Sequence, residues 1–119
     1  MPLTTIILYL EDDRSIPVRD WLDGLSADAQ DRCLARLALL EYLEGTDLYE
    51  LRVKYHRVNL RMLYFFYERT TVVVSHGFSK ERKVPPKEIA LATERMKKFR
   101  ADPERHTPRD EDHEDTPDG

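Results

Sequence analysis

Near residue 48 the apolar pattern of this chain changes period, and that change constrains the fold more than any other feature. Between Ala27 and Glu44, Ala29, Cys33, Leu34, Leu37, Leu40 and Leu43 recur at helical spacing, with Gly45 placed to stop the helix. From Leu48, Tyr49, Leu51, Val53 and Tyr55 alternate against Glu50, Arg52 and Lys54. Two further strand-like segments, Leu60 to Tyr67 and Val72 to Ser79, follow at hairpin spacing, the pair joined by a polar turn from Glu68 to Thr71. An alternating strand buries one face and leaves the other to polar groups, so the pattern predicts an antiparallel meander with one face packed and one charged.

The flanking segments supply what covers such a sheet. TTIILYL, Thr4 to Leu10, is rich in β-branched residues and reads as the first strand. Ile16 and Pro17 then open an apolar set of Val18, Trp21, Leu22 and Leu25 at helical spacing, which predicts a short helix from Pro17 to Gly24. Ser26 offers the N-cap of the next helix, so the two are expected to form a helical hairpin. Pro85 and Pro86 open a last helix whose Ile89, Ala92, Met96 and Phe99 can pack on the sheet. The fold class expected is α+β: an N-terminal helical hairpin packed on a small twisted antiparallel β-sheet, with a C-terminal helix.

At 119 residues the chain has room for one modest core, expected in residues 1–100. The single cysteine, Cys33, forms no internal disulfide framework and fits a reducing compartment. No apolar run approaches the roughly 20 residues needed to span a bilayer, and no cleavable leader opens the chain, so a cytoplasmic location is expected. His56, His76, His106 and His113 show no ligand spacing with Cys33, and neither metal nor other cofactor is expected.

The net charge of -4 hides a basic centre between two acidic ends. Residues 45–100 carry 13 Lys or Arg against 6 Asp or Glu, whereas residues 1–44 carry 4 against 9 and residues 101–119 carry 2 against 8. Arg52 and Lys54 share one face of a predicted strand, Arg61 lies across the hairpin, and Lys80, Arg82 and Lys83 follow the last strand. Cations held on a rigid sheet suit a phosphate-bearing partner, because each one neutralises backbone charge and releases counterions. The same residues also fit an ordinary solvated basic face.

These segments resemble the HigB/RelE-like toxins of bacterial type II toxin-antitoxin systems, particularly the branch of phage-derived Gp49-like proteins. The likeness rests on RSIPVRDWLDGL at 14–25, LYELRV at 48–53, LRMLYFF at 60–66 and HGFSKERKVPPKEI at 76–89, in family order over residues 1 to about 100. It implies a RelE-like fold and a metal-independent endoribonuclease that cleaves translated mRNA on the ribosome, by attack of a ribose 2′-hydroxyl on the adjacent phosphate. Arg52, Arg61, Lys80 and Lys83 match positions the resemblance makes catalytic, with the arginines as phosphate clamps. Lys54, Arg57, Arg82 and Tyr64 are candidates for holding RNA, Tyr64 by stacking a base. For the general acid or base, His76 and Glu50 both stand open. Many relatives place a tyrosine near the C-terminus, whereas the last helix here ends on Phe99.

The resemblance also implies a neutralising antitoxin with a helix-turn-helix domain, hence a hetero-oligomer that touches DNA only through that partner, and no membrane role. Two alternatives share the scaffold: a ParE-like toxin acting on gyrase, and a non-catalytic module binding RNA or protein. The segment from 101 to 119 is expected to be a disordered acidic tail, either solubilising or mimicking phosphate over the basic face.

Overall fold

The computed structural model describes residues 5–38, 48–80 and 84–109, with Lys80 described in its backbone only. The elements are β1 (Thr5–Leu8), α1 (Pro17–Asp23), α2 (Ala27–Ala38), β2 (Leu48–Tyr55), β3 (Val58–Tyr67), β4 (Thr71–Lys80) and α3 (Pro86–Ala101). The architecture is α+β. The expected continuation of α2 to Glu44, its stop at Gly45, the positions of Arg82 and Lys83, and residues 110–119 lie outside the described residues.

Local signals place the helix starts. Pro17 takes the first position of α1, where its missing N–H leaves no bond unmade, and Gly24 closes it. The Ser26 hydroxyl accepts from the Ala29 amide at 3.2 Å and caps α2. Pro85 caps α3 in extended conformation and Pro86 begins it.

The meander β2-β3-β4 is antiparallel, with Arg52 opposite Arg61 and Arg61 opposite Phe78. His56, at φ 57, opens the two-residue turn between β2 and β3. The sheet as a whole departs from expectation. Its order is β1-β4-β3-β2, and β1 runs parallel to β4, with Thr5 opposite Thr71 and Leu8 opposite Val74, so the sheet is mixed rather than antiparallel. A parallel neighbour needs a crossover, and the chain between β1 and β4 contains both helices and the whole β2-β3 hairpin. The helical hairpin is also corrected: α1 packs chiefly against β4 and α2 against β2, each on its own strand, with little contact between the two.

Two layers of core result. Against α1 and α2 the sheet presents Leu51, Val53, Leu60, Met62, Tyr64, Phe66, Val72 and Val74. Against α3 it presents Leu63, Phe65, Val73 and Phe78, which meet Ala92 and Phe99. Phe99 sits edge-on to Phe65 and Tyr67 and is core. Among the described residues no helix is long and apolar enough to cross a membrane.

A β-bulge interrupts β4. Leu63 pairs with His76 and Tyr64 with Val74, leaving Ser75 as the extra residue. The bulge resets the alternation, turning His76 and Phe78 toward α3 and Gly77 toward α1, where a Cβ would overlap the Trp21 indole. Gly77→Ala is therefore expected to lower stability by about 1–3 kcal/mol through overpacking. Urea unfolding followed by the fluorescence of Trp21, the one tryptophan, checks this.

The segment after α3 contradicts the expected disorder in its first part. His106 is 2 % exposed, stacks on Tyr9 at 5.0 Å, and its Nδ1–H donates to the Leu10 carbonyl at 2.9 Å. The Leu10 amide donates back to the His106 carbonyl at 3.0 Å. Arg105 and Lys98 both grip Asp12 at 2.9 Å, and these two donors hold its carboxyl down at about 2. The composition of 101–119 is that of a tail, yet one aromatic ring and reciprocal backbone bonds suffice to seat residues 102–109.

Candidate RNA-binding face

The register of β2 and β3 assembles the charged groups. Glu50 and Arg52 alternate on the face of β2 that carries Leu48, and Arg61 shares that face on β3 as the partner of Arg52. Beyond the reach of α3, Arg61 Nη1 donates to Glu50 Oε2 at 2.6 Å while Arg52 Nε stands 3.4 Å from the same oxygen. One carboxylate is thus held between two guanidiniums.

Exposure separates their roles. Arg61 is 3 % exposed, fixed in the sheet, whereas the Arg52 side chain is 58 % exposed and free to meet a ligand. Glu50 is partly open to solvent between them. Lys54 continues the row in solvent and Arg57 stands exposed in the β2-β3 turn. Lys80 has its backbone opposite Asn59, at the end of β4 nearest this corner. An anion approaching from solvent would meet Arg52 and Lys54, with the Arg61 guanidinium buried behind Glu50.

Tyr64 is not part of this surface. It lies on the opposite face of β3, buried under α1 and α2 and stacked on Tyr49 at 5.7 Å, so it cannot stack a base beside Arg61. Strand alternation alone separates positions 61 and 64, and the sequence already carried that signal.

His76 is on the correct face but closed to a substrate. Its Nε2 lies 2.9 Å from the Glu88 carboxylate and its Nδ1 2.8 Å from the Ser75 hydroxyl. Burial pushes its pKa below the ordinary value, opposed by Glu88, so at neutral pH the ring is uncharged. With Nε2–H donating to Glu88, Nδ1 accepts from Ser75. Arg95 continues the chain, donating to Ser75 at 3.4 Å and to Glu11 at 2.7–2.8 Å. This network pins α3 to the bulge of β4 and to the end of β1. With both ring nitrogens engaged and the ring buried, His76 is placed as a structural residue rather than a proton-transfer group.

At the other edge of the sheet a cleft of about 480 Å³ is lined by Glu11, Asp12, Asp13 and Asp20 around Arg95. Its carboxylates repel phosphate, in contrast to the cations of the β2-β3 corner.

Two cations escaped the sequence reading, Arg32 and Arg36 of α2. They belong to the acidic half by position, yet Arg36 Nη1 donates to the Arg52 carbonyl at 3.3 Å and the Arg32 guanidinium lies over the Tyr55 ring at 5.5 Å. Their one signal in the sequence is a four-residue spacing that runs beside the buried stripe of Ala29, Cys33 and Leu37.

The model of the family described as phage derived protein Gp49-like (DUF891) matches residues 20–97, which contain Glu50, Arg52, Arg61, His76, α2 and most of α3. No curated protein matches the chain.

Proposed function

The chain belongs to the phage-derived Gp49-like family, and from that premise we propose that it is the toxin of a type II toxin-antitoxin pair, a metal-independent endoribonuclease on a RelE-like scaffold that cleaves translated mRNA. The single observation that carries the reading is Glu50 Oε2 held 2.6 Å from Arg61 and 3.4 Å from Arg52 at the open corner of a basic face.

In this reading Glu50 takes the proton of a ribose 2′-hydroxyl as its oxygen attacks the neighbouring phosphorus. The 2′-oxygen–phosphorus bond forms, the bond to the 5′-oxygen of the next nucleotide breaks, and the leaving oxygen collects a proton from Lys80 or Lys83. Arg52 faces the charge that develops on the non-bridging oxygens, where preorganised donors have their largest effect, and buried Arg61 holds the Glu50 carboxylate in place behind it. Glu50 is preferred to His76 because a base must reach the proton it removes, and the histidine is enclosed by Ser75, Glu88 and the core. Lys54 and Arg57 hold the flanking backbone. A helix-turn-helix antitoxin, and DNA contact only through it, complete the reading.

The test is brief induction in bacteria beside an Arg52→Ala version, with primer extension on an abundant transcript. Arg52 is chosen because its exposed side chain can be removed without opening the core. New 5′ ends confined to translated regions, and absent from the Arg52→Ala cells, are expected. Growth arrest with intact transcripts would instead indicate a gyrase-directed toxin. Neither arrest nor cleavage would leave a binding module.

A further inference from the structure

The basic surface does not stop at the edge of the sheet. β2 is an edge strand, and α2 lies along it with Arg36 bonded to the Arg52 carbonyl and Arg32 over Tyr55. Arg52 and Lys54 therefore line one side of the edge strand while Arg32 and Arg36 line the other, with Arg57 at the turn between them. All five are exposed. Among the described residues Arg32, Arg36, Lys54 and Arg57 enter no salt bridge, and Asp28 and Asp31, on the same helix, pair with neither arginine.

Resting on the reading above that RNA is the ligand, we infer that Arg32 and Arg36 extend the RNA footprint around the β2 edge, so that one single strand runs from the Arg52–Glu50–Arg61 corner over Tyr55 and onto α2. The cations form two short rows of similar pitch, about 6 Å for four residues of helix and about 7 Å for two residues of strand. Between them stand aromatic rings: Tyr55 lies 4.3 Å from His56, and its hydroxyl meets the Ser26 hydroxyl at 3.4 Å. Rings interleaved with unpaired cations suit a single strand, whose bases stack while its phosphates are neutralised. An acidic protein segment would use the cations and leave the rings without a role. Arg36 serves twice, since its bond to the Arg52 carbonyl also occupies a main-chain acceptor of the open edge.

The experiment is fluorescence anisotropy of a labelled 20-nucleotide single-stranded RNA, titrated with the full chain over a range of salt. Arg32→Gln/Arg36→Gln is expected to weaken binding about threefold to tenfold at low salt and to flatten the salt slope by about 1.4, the loss of two phosphate contacts on a single strand. Arg32→Lys/Arg36→Lys should keep the slope of the unaltered chain, and matched thermal melts establish that both variants fold. An unchanged slope in the glutamine variant, or a lost slope in the lysine variant, overturns the inference. So does a labelled glutamate decamer that binds as tightly as RNA and is weakened equally, because the band would then recognise acidic protein. If Arg52→Gln/Lys54→Gln weakens binding and the α2 pair does not, the extension falls and the site stands; if the unaltered chain binds no RNA, both fall.

Discussion

Glu50→Gln should lower single-turnover RNA cleavage by about 10²–10⁴-fold, the contribution of a positioned general base, while RNA affinity stays the same or rises. The substitution keeps the volume and an acceptor for Arg61 but removes a negative charge that stands 2.6 Å from that guanidinium. An approaching phosphate then meets Arg52 without a competing anion beside it, which is expected to tighten binding by up to about tenfold, or 1.4 kcal/mol. Cleavage is read on ribosome-bound mRNA, and affinity on a strand whose 2′-hydroxyl is absent at the scissile position. The split between rate and affinity is the discriminating feature. A Glu50 that served only to neutralise buried Arg61 would show its loss in unfolding, with rate per folded molecule unchanged. Cleavage within threefold of the unaltered chain would remove Glu50 from the reaction.

The second large effect is on stability and lies at the opposite edge. Arg95→Ala is expected to cost about 3 kcal/mol, because removing the nearly buried guanidinium leaves the partly buried Glu11 carboxylate without its main partner. Arg95 reaches Glu11 at 2.7 Å, donates to Ser75 and lies over the Tyr9 ring at 5.6 Å, joining α3 to the end of β1 and to the β4 bulge. Lys98, 3.9 Å from Glu11, compensates in part and places the effect toward the lower end of the usual range. Arg95→Met keeps much of the packing over Tyr9, and combining it with Glu11→Gln removes the stranded charge as well. The pair should recover more than half of the loss, since an ion pair and a satisfied neutral pair can be nearly equal in stability while a half pair is not. Urea unfolding monitored at Trp21 measures all three. A loss below 1 kcal/mol for Arg95→Ala would show that the network is not what fastens α3.

Much of the local structure was legible in the chain. Pro17, Ser26 and Pro86 mark helix starts because each solves a problem of unpaired amides that arises within one turn. The alternation of Tyr49, Leu51, Val53 and Tyr55 against Glu50, Arg52 and Lys54 is reproduced side for side, and hairpin spacing gave the β2-β3-β4 order. The Arg52–Arg61 neighbourhood follows from that spacing, while their direct pairing is set by the two-residue turn that starts β3 at Val58. Tyr64 was misplaced although the same alternation puts it on the face away from Arg61.

What the sequence by itself determined, then, is whatever depends on neighbours within a few residues: helix starts, strand faces and the hairpins that bring Arg52 and Arg61 within reach of each other. Only the tertiary structure decided the partners of segments far apart in the chain. β-Branched content says that Thr5–Leu8 pairs but not with which strand or in which direction, and β4 is reached only after both N-terminal helices and a hairpin have intervened. The bulge at Ser75 is one extra residue with no composition of its own, yet it turns His76 from the α1 face to Glu88. His106 sits among charges and prolines that read as a solvated tail, and is buried because Tyr9 and the Leu10 backbone offer it a stack and two hydrogen bonds. Arg36, from the acidic half, reaches the basic corner because α2 packs along an edge strand. Each of these depends on a surface that exists only once the other elements are in place.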